Sequence, residues 1–199
     1  FNFEEQTNTN LYVAFEHPLP LIPNVKVQRT DMSTQGDVTL DSNFSFGGEL
    51  FPINVDAITD IDITATDIIL YYELFDNDLI SFDIGLNAKY VDGELLVTSD
   101  DTKAREEFSG PVPMVYSRLA VGIPFTGLGA FVEGSFLSID DHTFTDYQAA
   151  VTYSLIENLA IDVTFQLGYR AVKIELKDLD DIYSDLEFKG VFAGLEVHF

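Results

Sequence analysis

Cysteine is absent from all 199 residues, and so is tryptophan. Without cysteine there is no disulfide framework and no thiolate metal site. Positive charge is scarce: 10 Lys and Arg stand against 34 Asp and Glu, a formal net charge of −24. A surface this acidic repels phosphate backbones, which excludes nucleic acid as a partner and leaves divalent cations or basic molecules as counterparts. No stretch of about 18 apolar residues occurs, so no transmembrane helix is expected. The chain opens on Phe1 rather than Met and shows no secretory signal pattern, so Phe1 reads as an internal position of a longer precursor. Helical periodicity is nearly missing as well.

What is present is alternation with a period of two. In "LISFDIGLNAKYV", Ile80, Phe82, Ile84, Leu86, Ala88 and Tyr90 share one face, and Ser81, Asp83, Gly85, Asn87 and Lys89 the other. "LAIDVTFQLGYR" sets Leu159, Ile161, Val163, Phe165, Leu167 and Tyr169 against Ala160, Asp162, Thr164, Gln166, Gly168 and Arg170. The chain also ends in this rhythm, with Val191, Ala193, Leu195, Val197 and Phe199 on one parity. The pattern predicts roughly nine strands, near 8–17, 24–35, 61–75, 79–97, 111–123, 128–139, 143–155, 159–177 and 184–199. Several match the ~9–11 tilted residues that cross a bilayer. The connections alternate: "HPLPLIPN", "FDND", "PFTG" and "IEN" are tight, whereas 31–60, "SDDTKAREEFSG", "DDHT" and "LDDIYSD" read as acidic loops at the opposite end.

A soluble barrel alternates too, with its apolar face inward. The polar face here is largely small (Gly85, Ala120, Gly122, Ala150, Ser154, Gly168, Gly194), with Asp83, Lys89, Arg118, Asp162, Arg170 and Glu196 interleaved. Small residues and scattered opposite charges suit the crowded lumen of a narrow barrel. Phe15, Tyr72, Phe75, Tyr90, Phe125, Tyr153 and Phe199 near strand ends suit interfacial girdles. The expected fold is all-β: one domain over 1–199, an antiparallel up-and-down transmembrane β-barrel of about ten strands, with eight as the alternative. An even strand number implies that the first strand is absent from this chain.

The ending "GLEVHF" resembles the C-terminal signature of Gram-negative outer-membrane β-barrel proteins, carried by Gly194, Val197 and Phe199; Phe192, where that pattern often has a polar residue, departs from it. The stretches "LYVAFEHPLPLIPNVKV", "LYYELFDND", "LGYRAVKIELKDLDD" and "DLEFKGVFAGLEVHF" resemble a small family of outer-membrane barrels of unestablished function, over nearly the whole chain. The resemblance implies that the barrel-assembly machinery reads the last strand, Val197 and Phe199 in particular. It implies no activity.

Three groups of residues could carry chemistry. Asp140, Asp141, His142 and Asp146 lie in a predicted outer loop, where a carboxylate beside a histidine could activate water as in rim proteases; Asp-rich turns are equally the ordinary chemistry of loops. Asp178, Asp180, Asp181 and Asp185 could hold Ca²⁺ or Mg²⁺ weakly and bridge to lipopolysaccharide phosphates, although the segment lacks the Gly and Glu of an EF-hand. The lumen charges Asp83, Lys89, Arg118, Asp162, Arg170 and Glu196 could line a narrow cation-preferring pore or close it as salt bridges. His17, His142 and His198 have no metal-ligand spacing, and no nucleophile, phosphate or dinucleotide motif is present. No cofactor and no catalytic residue is assigned. The sequence therefore points to a non-enzymatic protein of the bacterial outer membrane, in contact with lipid and lipopolysaccharide. A rim enzyme of the protease or lipid-modifying type and a soluble lipocalin-like barrel are the alternatives.

Overall fold

Alternating side chains and turn-forming residues between them favour a meander of long strands, and the computed structural model has that form. It describes residues 2–17, 19, 21–77, 79–139, 142–158, 161–179 and 182–198. The elements are β1 (Asn2–Phe3), β2 (Thr9–Phe15), β3 (Asn24–Thr39), β4 (Phe44–Phe46), β5 (Glu49–Phe51), β6 (Asp56–Asp76), β7 (Ile80–Thr98), β8 (Lys103–Ile123), β9 (Leu128–Ile139), β10 (His142–Glu157), β11 (Asp162–Leu179) and β12 (Ile182–His198). No helix occurs among the described residues.

The strands join in the antiparallel order β1-β3-β6-β7-β8-β9-β10-β11-β12. β2 also pairs with β3, and β6 takes the other edge of β3, so β1 and β2 are two segments of one edge strand. β4 and β5 form a separate hairpin. The register places Arg118 opposite Glu133, Arg170 opposite Gln148 and Thr164 opposite Glu196.

Local chemistry sets the turns. Asn77 Oδ1 accepts from both Leu79 N–H and Ile80 N–H at 2.9 Å, an Asx-type turn between β6 and β7. Gly127 supplies the positive φ of 69° that the β8–β9 turn requires.

β3, β6 and β8 run well beyond the bounds the sequence predicts, and the connections at those ends are correspondingly shorter. β8 begins at Lys103, so most of "SDDTKAREEFSG" is strand; β3 continues to Thr39 and β6 starts at Asp56. Charge made these segments read as loops, but alternation does not require the exposed face to be apolar. The remaining connection at 40–55 carries the β4–β5 hairpin.

The chain forms two compact units: unit 1 comprises Phe1–Ala14, Lys26–Ile68 and Ala88–Val112, and unit 2 comprises Phe15–Val25, Ile69–Asn87 and Pro113–Phe199. In unit 1 the larger part of the interior is apolar. Phe51, Ala57, Val97 and Ala104 form a core against which Val38, Leu40, Phe44 and Phe46 pack. Ile61, Ile63, Ala65 and Val91 are buried beside it in sequence, while Asp56, Asp62, Asp92 and Arg105 face solvent.

Unit 2 has a mixed interior, in which Ile69, Met114, Val172 and Ile174 are buried as well as polar groups, and a far more apolar outer face. Asp83, Asn87, Glu133, Ser135, Asp146 and Gln166 are buried, together with Tyr71, Tyr116 and Phe131. Leu86 (67% exposed), Val151 (60%), Leu195 (65%) and Val191 (85%) lie on the outer face. The change can be followed along β7. Up to Tyr90, Ile84, Leu86 and Tyr90 are apolar and exposed while Asp83, Asn87 and Lys89 are polar and buried; from Val91 onward Val91 and Val97 are buried and Asp92 is exposed.

Candidate functional site: charge pairs on the buried face

The period-two pattern sends every second residue of a strand inward, and adjacent strands place those residues in rows. In unit 2 one row centres on Arg118 of β8. Its Nη1 lies 4.0 Å from Asp83 Oδ2 on β7, and its Nε 3.6 Å from Glu133 Oε2 on β9. Its guanidinium stands 5.2 Å from the centroid of the Phe131 ring, within cation–π range. Asn87 Nδ2 donates to Ser135 Oγ at 3.0 Å, reaching from β7 past β8 to β9.

A second row is built on β10, β11 and β12. Arg170 Nε donates to Asp146 Oδ1 at 3.0 Å and Nη2 to Oδ2 at 2.8 Å, a bidentate pair. Gln166 Nε2 donates to Glu196 Oε2 at 2.6 Å. Asp162 is different: its carboxylate is 43% exposed and lies 4.0 Å from His198 Nδ1. At the other margin of unit 2, Tyr71 Oη donates to Glu16 Oε1 at 2.7 Å, and the Tyr71 and Tyr116 rings meet at 5.9 Å.

Unit 1 holds the most deeply buried pair. Lys89 Nζ lies 2.8 Å from Asp67 Oδ1 and 2.9 Å from Oδ2, with side chains only 5% and 1% exposed. Gln28 Oε1 and Thr59 Oγ1 are buried with no hydrogen-bond partner among the described residues. On the exposed face, Thr64 Oγ1 donates to Asp31 Oδ1 at 2.9 Å and Arg29 lies 3.1 Å away. These two groups, Thr64 first, hold the Asp31 carboxyl below its ordinary value.

Of the six charges read from the sequence as lining an interior, Asp83 and Arg118 meet each other, Lys89 meets Asp67, Arg170 meets Asp146, Glu196 meets Gln166, and Asp162 stands at the margin. Sequence reading missed Asp67 and Glu133, which complete two of these pairs. Strand register was needed to find them: Glu133 lies directly opposite Arg118, and Asp67 meets Lys89 between β6 and β7. Asp146 needs a correction. It is not in an outer loop beside His142 but inside β10, bound to Arg170, and so is not poised to orient an imidazole.

Asp140, Asp141, Asp180, Asp181 and Phe199 lie outside the described residues, as do the side chains of His142, Asp178 and Asp185. Gly194 is half-buried in β12, and Val197 is exposed there. Among the described residues no three His, Asp or Glu side chains converge as a metal centre requires. Chemically, the buried face offers ion pairs and side-chain amide hydrogen bonds that link strands.

No family model matches the chain, and comparisons with curated proteins and with solved structures return no match.

Proposed function

We propose that this chain is an integral β-barrel protein of a Gram-negative outer membrane, non-enzymatic, whose interior is closed by salt bridges and whose role is structural or one of surface interaction. The observation that carries the reading is the polarity of unit 2, with Asp83, Glu133, Asp146 and Gln166 buried and Leu86, Val151, Leu167, Val191 and Leu195 exposed. In water an apolar surface of that extent aggregates. In lipid it is the favoured arrangement, and the interior can be polar.

Strand parity supports the finer form. β1 runs antiparallel to β3, and the meander from β3 to β12 then leaves β1 and β12 running the same way. An antiparallel closure takes one more strand between them, which makes about ten. The resemblance of the Gly194, Val197 and Phe199 pattern to outer-membrane signatures supports recognition of β12 by the barrel-assembly machinery. The acidic exposed face, with Asp56, Asp62 and Asp92, suits divalent cations bridging to lipopolysaccharide phosphates. Pairing of Arg118, Arg170 and Lys89 with carboxylates on neighbouring strands neutralises charge on the inward face, which supports a salt-bridged interior over a cation-selective pore.

The experiment is reconstitution in vesicles followed by single-channel recording in a planar bilayer at neutral pH. The expected result is stable, detergent-extractable insertion with no conductance steps. Discrete cation-selective steps would replace the closed barrel by a narrow pore. A monomer stable in buffer without detergent would overturn the membrane reading in favour of a soluble ligand-binding barrel.

A further inference from the structure

Two turns of unit 2 carry features that an aqueous turn does not need. In the β2–β3 connection Leu19, Leu21 and Ile22 are all exposed, Leu21 to 90%; in the β8–β9 turn Phe125 is completely exposed at 108%. Leu21 and Phe125 also have left-handed backbones, with φ of 71° and 65°. Turn chemistry calls for Gly or Asn there, and bulky side chains are outliers. Gly127 stands two residues after Phe125, so a glycine-bearing turn still places its largest side chain at the tip.

Charge is withheld from the same two places. The chain has 34 acidic residues, yet 17–25 and 119–132 contain no Asp, Glu, Lys or Arg. The other two tight turns, "FDND" and "IEN", do carry acids. Part of the backbone of both apolar turns is internally bonded. Leu19 N–H donates to His17 Nδ1 at 3.2 Å, His17 N–H to Asn24 Oδ1 at 3.1 Å, and His17 Nε2 lies 3.3 Å from Pro23 O. Leu128 N–H donates to Thr126 Oγ1 at 3.1 Å, and Thr126 Oγ1 to Ile123 O at 2.8 Å. Backbone groups already bonded can enter a poorly hydrated medium at little cost.

The β2–β3 turn is also continuous with the exposed apolar face. Tyr72, which lies on that face with Ile68, Leu70 and Leu74, donates its hydroxyl to Leu21 O at 3.0 Å. We propose that Leu21 and Phe125 are membrane anchors, seated in the headgroup–acyl boundary of the leaflet on their side of the bilayer, so that these two turns lie within the lipid interface rather than in the water beyond it. The occupant is phospholipid, and the proposal rests on the membrane reading of unit 2.

The absence of tryptophan makes the test direct. The full chain carrying Leu21→Trp, Phe125→Trp or, as a reporter on the exposed apolar face, Leu167→Trp has a single indole. Each variant is reconstituted in phosphatidylcholine vesicles with and without phospholipid brominated at a shallow acyl position, and iodide is then added to the water. The expected result is that all three lose most of their emission to the brominated lipid and that the Leu21 and Phe125 variants resist iodide. If Leu167→Trp is quenched by lipid while both turn variants emit to the red and are quenched by iodide, the anchors are refuted and the membrane reading stands; the turns then face water, open to a protein partner or a second copy. Lipid quenching of one turn variant alone overturns the proposal for the other turn. If Leu167→Trp is itself untouched by bromine, the membrane reading fails and the anchors with it.

Discussion

The Lys89 ammonium lies 2.8 Å from Asp67 Oδ1, and the two side chains are among the least exposed charged groups described. A buried pair stabilises little against an apolar replacement, but losing one partner strands the other charge. Lys89→Met should therefore cost about 3–5 kcal/mol of unfolding free energy. The double change Lys89→Met with Asp67→Leu should recover most of that loss. Urea unfolding in vesicles checks both, and a double variant no better than the single one would mean that the pair is not the source of the loss.

Thr59 Oγ1 is buried in unit 1 without a hydrogen-bond partner among the described residues. An unsatisfied hydroxyl costs its desolvation, and valine has nearly the same shape and a better strand propensity. Thr59→Val is expected to raise stability by about 1 kcal/mol. A lower urea midpoint for this variant would show that the hydroxyl is bonded after all.

On the membrane reading proposed above, the change of chemistry along the strands sets where lipid ends. On β7 the exposed residue Leu86 lies in the apolar band, and on β6 the exposed residue Asp62 lies beyond it, past Ile68 and Thr66. Arginine near a bilayer midplane costs about 2–4 kcal/mol, and close to nothing outside the membrane. Leu86→Arg should thus destabilise the reconstituted protein by that amount, while Asp62→Arg leaves it nearly unchanged. Equal effects at both positions would place the lipid boundary wrongly.

Asp31 gives the pH dependence. Its hydrogen bond from Thr64, followed by the bond and charge of Arg29, holds the carboxyl below its ordinary value of 3.8. A carboxyl with a lower pKa in the folded than in the unfolded chain favours folding above the unfolded value, and that contribution is lost as pH falls through the folded one. Thr64→Val should move the Asp31 titration, followed by carboxyl carbon resonances in micelles, back up toward 3.8. An unmoved titration would mean that the Thr64 bond is not maintained in solution.

The strands were legible because alternation is local: β9 from Leu128 to Ile139 is where the sequence puts it, and β7 differs by a single residue at each end. Strand ends at 36–39, 56–60 and 103–110 were not, because Asp37, Asp56, Arg105 and Glu107 look like loop residues until a partner strand is known. The charge pairs were half legible. Parity gives the face, so Arg118 and Arg170 could be placed, but partner choice depends on register, and only register brings Glu133 opposite Arg118. The change of chemistry along β7 left a trace as well. "YV" at Tyr90–Val91 shifts the apolar phase by one, and in a soluble strand such a shift would mark a bulge. Here the strand continues and the surroundings change.

If the outer-membrane reading holds, the strand segments at 56–66 and 92–98 have a consequence for what a host or a phage would meet at the cell surface. On the outer-membrane reading, the water-facing end presents pleated sheet over 56–66 and 92–98 in place of long mobile loops. Antigenic change in such a surface is confined to alternate positions. Asp56, Ile58, Asp60, Asp62 and Thr64 are open to replacement, whereas Ala57, Thr59, Ile61 and Ile63, one residue away, are held by the core. Escape variants selected against an antibody to this region should therefore fall on every second residue.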